Sequence, residues 1–325
     1  MLSVVIPVYR NEESLPELLE GLSMVAARAR IEHCVAMEAV FVVDGSPDAS
    51  HAVLVSRLPD ASFPSQLLLH SRNFGSFAAI RTGMAAASGD YIGVMAADLQ
   101  EPPELMLEFL ARLMDGDCDV VVGCRSDRDD PPMSRFAASL FWKTYRRFIN
   151  CEVPLAGVDV FGCNRRFRDE LLRLGEANSS LVGLIFWLGF RRAEVYYARR
   201  ARKYGKTAWS FSRKVNYLLD SVFSFTDLPV KILSAVGLVG VITAILFGLV
   251  VLLARVFGGI PVPGYTATVL TVLFFGGLNA LGLGIVGSYA WRSFENTKAR
   301  PLALVMDAHT FPSATVVDDV QKGRD

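Results

Sequence analysis

The sequence predicts an α/β domain on a mostly parallel sheet, followed by a pair of long apolar helices. Three observations predict it. Short β-rich runs alternate with helical periodicity as far as Val122, polar residues recur at the carboxyl ends of those runs, and the apolar excess lies in two late blocks. Ser3–Val8 is β-rich, and Glu12–Ala29 follows with Leu15, Leu18, Leu19, Leu22 and Val25 at helical spacing. Val40–Val43 reads as a buried strand ending at Asp44-Gly45-Ser46-Pro47. Gln66–Leu69 is a third strand, after which Arg72-Asn73-Phe74-Gly75 opens a helix to Ala87. Tyr91–Met95 runs into Ala96-Ala97-Asp98-Leu99-Gln100, Pro102 and Pro103 start a helix to Met114, and Val120–Val122 is a fifth strand. Such alternation with short links argues a parallel sheet covered on both faces. It also puts Asp44, Arg72, Asn73, Asp98, Gln100 and Arg125 on one rim, where open α/β sheets bind ligands.

From Asp127 to Gly205 the pattern loosens and arginines accumulate, among them Arg128, Arg165, Arg168, Arg191, Arg192, Arg199 and Arg202. Guanidinium groups suit a diphosphate or phospholipid ligand; a solvated or headgroup-facing basic surface accounts for most of them. Residues 208–229 form an amphipathic stretch with Trp209, Phe211, Val215, Leu218, Leu219, Val222 and Phe225 apolar. Lying just before the apolar blocks, it reads as an interfacial helix in preference to a core helix.

The chain has 325 residues, 52% of them hydrophobic, and a mean hydropathy of +0.34. The excess falls at about 230–254, with Lys231 as its only charge, and at about 267–291, with none. Each block is long enough to span a bilayer as a helix. Gly258, Gly259, Pro261, Pro263 and Gly264 mark the turn between them. Arg213, Lys214 and Lys231 flank the first block, and Arg292, Lys298 and Arg300 follow the second, whereas the turn carries only Arg255. Positive-inside bias then puts the domain of residues 1–207 and the tail of residues 292–325, expected to be partly disordered, in the cytoplasm. The glycine run from Gly276 to Gly284 would allow close helix contact, within the hairpin or between protomers of a homo-oligomer. Lys+Arg and Asp+Glu both total 33, which gives a nucleic-acid partner no support. Met1–Val8 is too short for a signal peptide. The five cysteines show no zinc spacing and read as reduced structural thiols.

Val5-Ile6-Pro7-Val8-Tyr9 with Asn11-Glu12-Glu13, then Asp44-Gly45-Ser46, Arg72-Asn73-Phe74-Gly75 and Asp98-Leu99-Gln100-Glu101-Pro102-Pro103-Glu104, occur in order. Together with the C-terminal hairpin, this set resembles the family 2 glycosyltransferases of the GT-A fold, in the polyprenyl-phosphate glycosyltransferase and dolichyl-phosphate mannose synthase branch. The resemblance implies inverting transfer of a sugar from a nucleotide diphosphate sugar, UDP-linked by likeness to bacterial members, to a polyprenyl phosphate. The setting it implies is the cytoplasmic membrane face, for cell-envelope or O-antigen glycans. Donors with glucose, N-acetylhexosamine or aminoarabinose all fit.

The same resemblance implies roles. Pro7, Tyr9, Glu12 and Asp44 would hold the base and ribose, with Arg72 and Asn73 also on the nucleotide. Asp98 would ligate Mg²⁺ or Mn²⁺, and Gln100 would contact a phosphate. Arg125 and Arg128 match the family's Gly-x-Arg-x-x-Arg positions, Arg202 and Lys206 the segment closing over the phosphates, and Asp159 the catalytic carboxylate. Two positions depart from the pattern: Ala96 stands where an Asp-Ala-Asp-Leu-Gln motif has its first aspartate, and Phe161 where the arginine after Asp159 is usual. These departures favour the alternative, a catalytically impaired paralogue acting as a membrane scaffold.

Overall fold

A computed structural model of the chain describes residues 1–126, 146, 152, 154, 158, 160–176, 179–201, 203–204, 219–257 and 264–314, without some side chains of the two long C-terminal helices. Its centre is an eight-stranded sheet in the order β7 (Arg192–Tyr197), β5 (Val120–Arg125), β6 (Val160–Asn164), β4 (Tyr91–Val94), β1 (Leu2–Val8), β2 (Met37–Val43), β3 (Ser65–His70), β8 (Val305–Phe311). Strands β1, β2, β3 and β4 are adjacent and parallel. β2 is buried at every position and β1 at all but one, as expected of strands covered on both faces. β5 and β7 pair in parallel, and β6 runs antiparallel between β5 and β4. The structure therefore bears out a mixed α/β domain whose strands mostly run one way.

Helices cover both faces. α1 (Leu15–His33) and α4 (Leu105–Met114) bury Leu18, Leu22, Phe109 and Leu110 in one core layer with Ile6 and Phe41. α3 (Ser76–Ala86) packs on the opposite face against Val5, Val40 and Val42, and α5 (Arg165–Arg173) joins that layer. The α3 contact is close: a Cβ on Gly83 would stand 2.4 Å from Val5 Cγ1. α2 (Ser50–Arg57) and α6 (Leu181–Trp187) complete the domain. Phe161 is a core residue of β6, paired with Val94 of β4, which accounts for an apolar side chain at that position.

The long C-terminal helices are α7 (Leu228–Val256) and α8 (Tyr265–Thr297), of 29 and 33 residues. Glycines sit where they face each other: a Cβ on Gly282 would be 3.5 Å from Leu233, and one on Gly240 3.5 Å from Phe275. Residues 219–225 are helical, and Arg292 of α8 donates to Asp220 at 2.7 Å. Among the described residues no single helix is long and apolar enough to cross a membrane. One combination is, Leu219–Phe225 with Leu228–Gly240, and it is bent by 81°.

The tail differs most from expectation. After α8 the chain returns as β8 (Val305–Phe311), antiparallel to the outer edge of β3, and Ser71 N–H donates to Leu304 O at 3.0 Å. The expected partial disorder of the tail does not extend to this strand. β8 side chains are largely exposed, so its hold on the domain is the backbone ladder. Cys118, Cys124 and Cys163 are buried thiols, and Cys34 is an exposed one.

Candidate functional site

The adjacent parallel strands β4, β1, β2 and β3 bring four carboxyl-end loops to one rim. At the end of β2, Asp44 is nearly inaccessible, 3% exposed. Its Oδ1 accepts from Phe74 N–H at 2.8 Å and bonds His70 Nδ1 at 2.8 Å, and its Oδ2 accepts from Gly75 N–H at 2.8 Å. Burial alone would raise the carboxyl's pKa; the hydrogen bonds from His70 and the two amides outweigh it and hold the pKa below the ordinary value. Asp44 is thus the clamp of the Arg72–Gly75 loop. Gly45 follows in the left-handed region, with φ +56°, and a Cβ there would stand 2.4 Å from Arg72 C and Asn73 N. Gly45→Ala is expected to cost about 2 kcal/mol or more, from the disfavoured φ and the backbone clash. Thermal melting of the variant checks it.

The loop after β1 is interlocked with the start of α2. Glu12 N–H donates to Asp48 Oδ2 at 3.1 Å, while Ala49 N–H donates to Glu12 Oε2 at 2.8 Å. One oxygen of Glu12, expected beside the nucleotide, is therefore engaged by the fold. Ser46, Ser50 and backbone N–H groups outweigh the burial of Asp48, whose pKa is lowered. Tyr9 N–H bonds Asn11 Oδ1 at 3.0 Å, and the Arg10 guanidinium lies 5.4 Å from the Tyr9 ring. Arg72 stacks 4.6 Å over Phe74, the residue whose amide Asp44 holds.

After β4, Ser14 Oγ donates to Ala97 O at 2.7 Å and so fixes the approach to Asp98 from α1. Asp98 Oδ1 accepts from Gln100 N–H at 3.3 Å, with Leu99 between them at φ +57°. Gln100 Oε1 accepts from Arg199 Nη2 at 2.5 Å, and Arg200 N–H donates to Gln100 O at 2.8 Å. Glu101, 2% exposed, lies 3.7 Å from Arg199, and Lys203 and Tyr204 both reach Glu17 of α1. The segment after β7 is thereby stapled across the Asp98–Glu101 loop. Arg125 ends β5 opposite Tyr197 of β7.

Asp159, Arg128, Arg202 and Lys206 lie outside the described residues. Several arginines expected on a ligand or a basic surface have partners within the fold. Arg168 donates to Ala87 O and to Asp169, Arg191 pairs with Asp119 at 3.0 Å, and Arg192 pairs with Glu152. Among the described residues no group of three His, Cys, Asp or Glu side chains could enclose a metal ion. His70, Asp48 and Arg199 take part in the rim although the motifs do not single out their roles. His70 is contiguous with Ser71-Arg72, and that adjacency is the one signal that could have found it.

The model of the glycosyl transferase family 2 matches residues 3–175. An uncharacterized glycosyltransferase of Synechocystis sp. is 31% identical over 306 residues, covering 94% of this chain and 95% of its own. A prophage bactoprenol glucosyl transferase homolog of Escherichia coli is 29% identical over 305 residues, 94% of this chain and 98% of its own. Among solved structures, glucosyl-3-phosphoglycerate synthase from Mycobacterium tuberculosis, in complex with Mn²⁺, UDP-glucose and phosphoglyceric acid, has a TM-score of 0.48 at 15% identity, covering 69% of this chain and 79% of that one.

Proposed function

This chain belongs to glycosyl transferase family 2, and on that premise we propose that it transfers a sugar from a UDP-linked donor to a polyprenyl phosphate at the cytoplasmic face of a membrane. The observation that carries the acceptor class is that the likeness to the bactoprenol glucosyl transferase homolog covers 94% of the chain, including the C-terminal helices as well as the catalytic domain. An enzyme that transfers sugars is what the family gives, and the scaffold alternative loses its ground.

The donor lies on the rim, with Pro7, Tyr9 and Glu12 toward the base and ribose and with Arg72 and Asn73 on the nucleotide; Asp44, expected beside the base, is buried with both oxygens engaged and serves the site by holding the Arg72–Gly75 loop. Gln100 and Arg125 lie on the phosphate side of that rim, and Arg128, Arg202 and Lys206, outside the described residues, keep the phosphate-binding role that the family resemblance gives them. Asp98, part-exposed at the end of β4, is a single carboxylate, and that fits Mg²⁺ or Mn²⁺, which one or two carboxylates hold together with substrate phosphates and water. When bound, such an ion neutralises the charge on the departing diphosphate. An acceptor phosphate oxygen attacks the anomeric carbon in a single inverting displacement as the bond to the nucleoside diphosphate breaks. The acceptor is largely ionised near neutral pH, so positioning matters more than proton removal. Asp159 orients the acceptor and takes any residual proton.

A lipid acceptor requires the domain to sit at a bilayer. α7 runs for 29 residues and α8 for 33. The exposed side chains of α7 include Leu238, Val239, Ile245, Leu246 and Val250, and those of α8 include Val272, Phe274, Leu281 and Leu283. Apolar exposure on both helices supports a lipid-facing hairpin. The exposed thiol of Cys34 reports the orientation: a membrane-impermeant maleimide is expected to label it in inverted vesicles and not in right-side-out ones. Calorimetric titration with UDP-sugars, with and without Mn²⁺, tests the donor reading; metal-dependent binding is expected, and its absence for every donor would refute that reading.

A further inference from the structure

We infer that His70 is a positioning residue of the donor site, holding the Arg72–Gly75 loop in its ligand-binding shape through Asp44 and Phe74. The inference rests on the reading that places the nucleotide beside Arg72 and Asn73. His70 ends β3 on the same strand face as Leu68, which packs in the layer shared with α3. Its side chain is wholly buried. Nδ1 lies 2.8 Å from Asp44 Oδ1 and Nε2 lies 3.0 Å from Thr82 Oγ1. Nδ1 faces a carboxylate, which can only accept when ionised, and Nε2 faces a hydroxyl that can donate or accept. The ring thus ties α3 to the end of β2.

From that ring two routes lead to the loop. Through Asp44, His70 orients the carboxylate whose oxygens receive the Phe74 and Gly75 amides, each at 2.8 Å. Through packing, it meets the Phe74 ring edge-on, with centroids 5.6 Å apart and planes at 90°. Arg72 stacks over the same Phe74 ring at 4.6 Å. Without the imidazole, Asp44 keeps its two amide bonds but loses the donor that fixes its rotamer, and Phe74 loses its platform. A loop that is correctly shaped only part of the time binds its ligand more weakly in proportion to that fraction.

Three full-length variants test this, with UDP plus Mn²⁺ as the probe and hydrogen exchange at Phe74 and Gly75 as a ligand-free readout. His70→Leu is expected to raise the UDP Kd about tenfold or more, the scale of one lost charge-assisted hydrogen bond, and to speed exchange at both amides. His70→Asn, whose side-chain amide replaces the Nδ1 donor, is expected to keep Kd within about threefold of the parent, because the charged hydrogen bond survives. Unchanged exchange in a folded His70→Leu protein overturns the inference, as does an Asn variant no better than the Leu one. Should His70→Leu fail to fold, Thr82→Val removes only the Nε2 partner; faster exchange at the two amides supports the inference and unchanged exchange overturns it. If the parent protein binds no UDP, the donor reading fails on its own, and the exchange measurement still decides whether His70 holds the loop.

Discussion

Asp98→Ala is expected to lower sugar transfer about 100-fold or more, the scale on which removing a group that stabilises transition-state charge acts. The expectation follows from the rim. Asp98 stands at the carboxyl end of β4, on a loop fixed by Ser14 to Ala97 O and by Gln100 to the segment after β7. The preceding positions are Ala96 and Ala97, so no second aspartate of the motif shares the work. A motif with two aspartates could retain part of its function when one is removed; this one has no such reserve. The loss belongs in turnover, with the fold intact, because Asp98 lies on the rim and not in the core. Initial rates together with thermal melting check it: a variant that melts like the parent and transfers at the parental rate would remove Asp98 from the site.

The second large effect is on stability. Asp44→Ala is expected to destabilise the protein by about 3–5 kcal/mol, because the deletion orphans buried partners of a charged group. Phe74 N–H, Gly75 N–H and His70 would all lose their shared acceptor at once. The same carboxylate gives a pH dependence of determined sign. Its folded pKa lies below the ordinary value of 3.8, so the unfolded chain binds the proton more readily than the folded one. The stabilisation is complete above the ordinary value and is lost as pH falls from there through the folded pKa. Melting curves of the parent and of Asp44→Ala should therefore converge on acidification below about pH 4. A difference that persists undiminished into strong acid would contradict this account of the clamp.

Legibility in the sequence followed burial. β1 to β5 were readable because parallel strands covered on both faces are continuous apolar runs, and the polar residues that end them mark the rim. The three later strands carry no such signature. β6 is short and contains Gly162 and Asn164, β7 mixes Arg192 and Glu194 into a half-exposed pattern, and β8 is exposed along its length. What orders β8 is the edge of β3, a partner far away in the chain. The rim was visible in the same uneven way. Asp44, Arg72, Asp98 and Gln100 lie at strand ends and could be named, but the Glu12–Asp48 interlock joins residues 36 positions apart. His70 looks, in sequence, like the last residue of a buried strand; only the fold shows that its ring lies between Asp44 and Thr82.

The central claim is that lipid phosphate receives the sugar. Its most direct test is to incubate the full-length protein in detergent with undecaprenyl phosphate, Mn²⁺ and a panel of UDP-sugars, and to analyse the extracted lipid by mass spectrometry. The expected result is a lipid phosphate heavier by one sugar residue with one of the donors, absent when Asp98 is replaced by alanine. A protein that binds UDP and hydrolyses or transfers the sugar while the lipid mass stays unchanged with every donor would contradict the account.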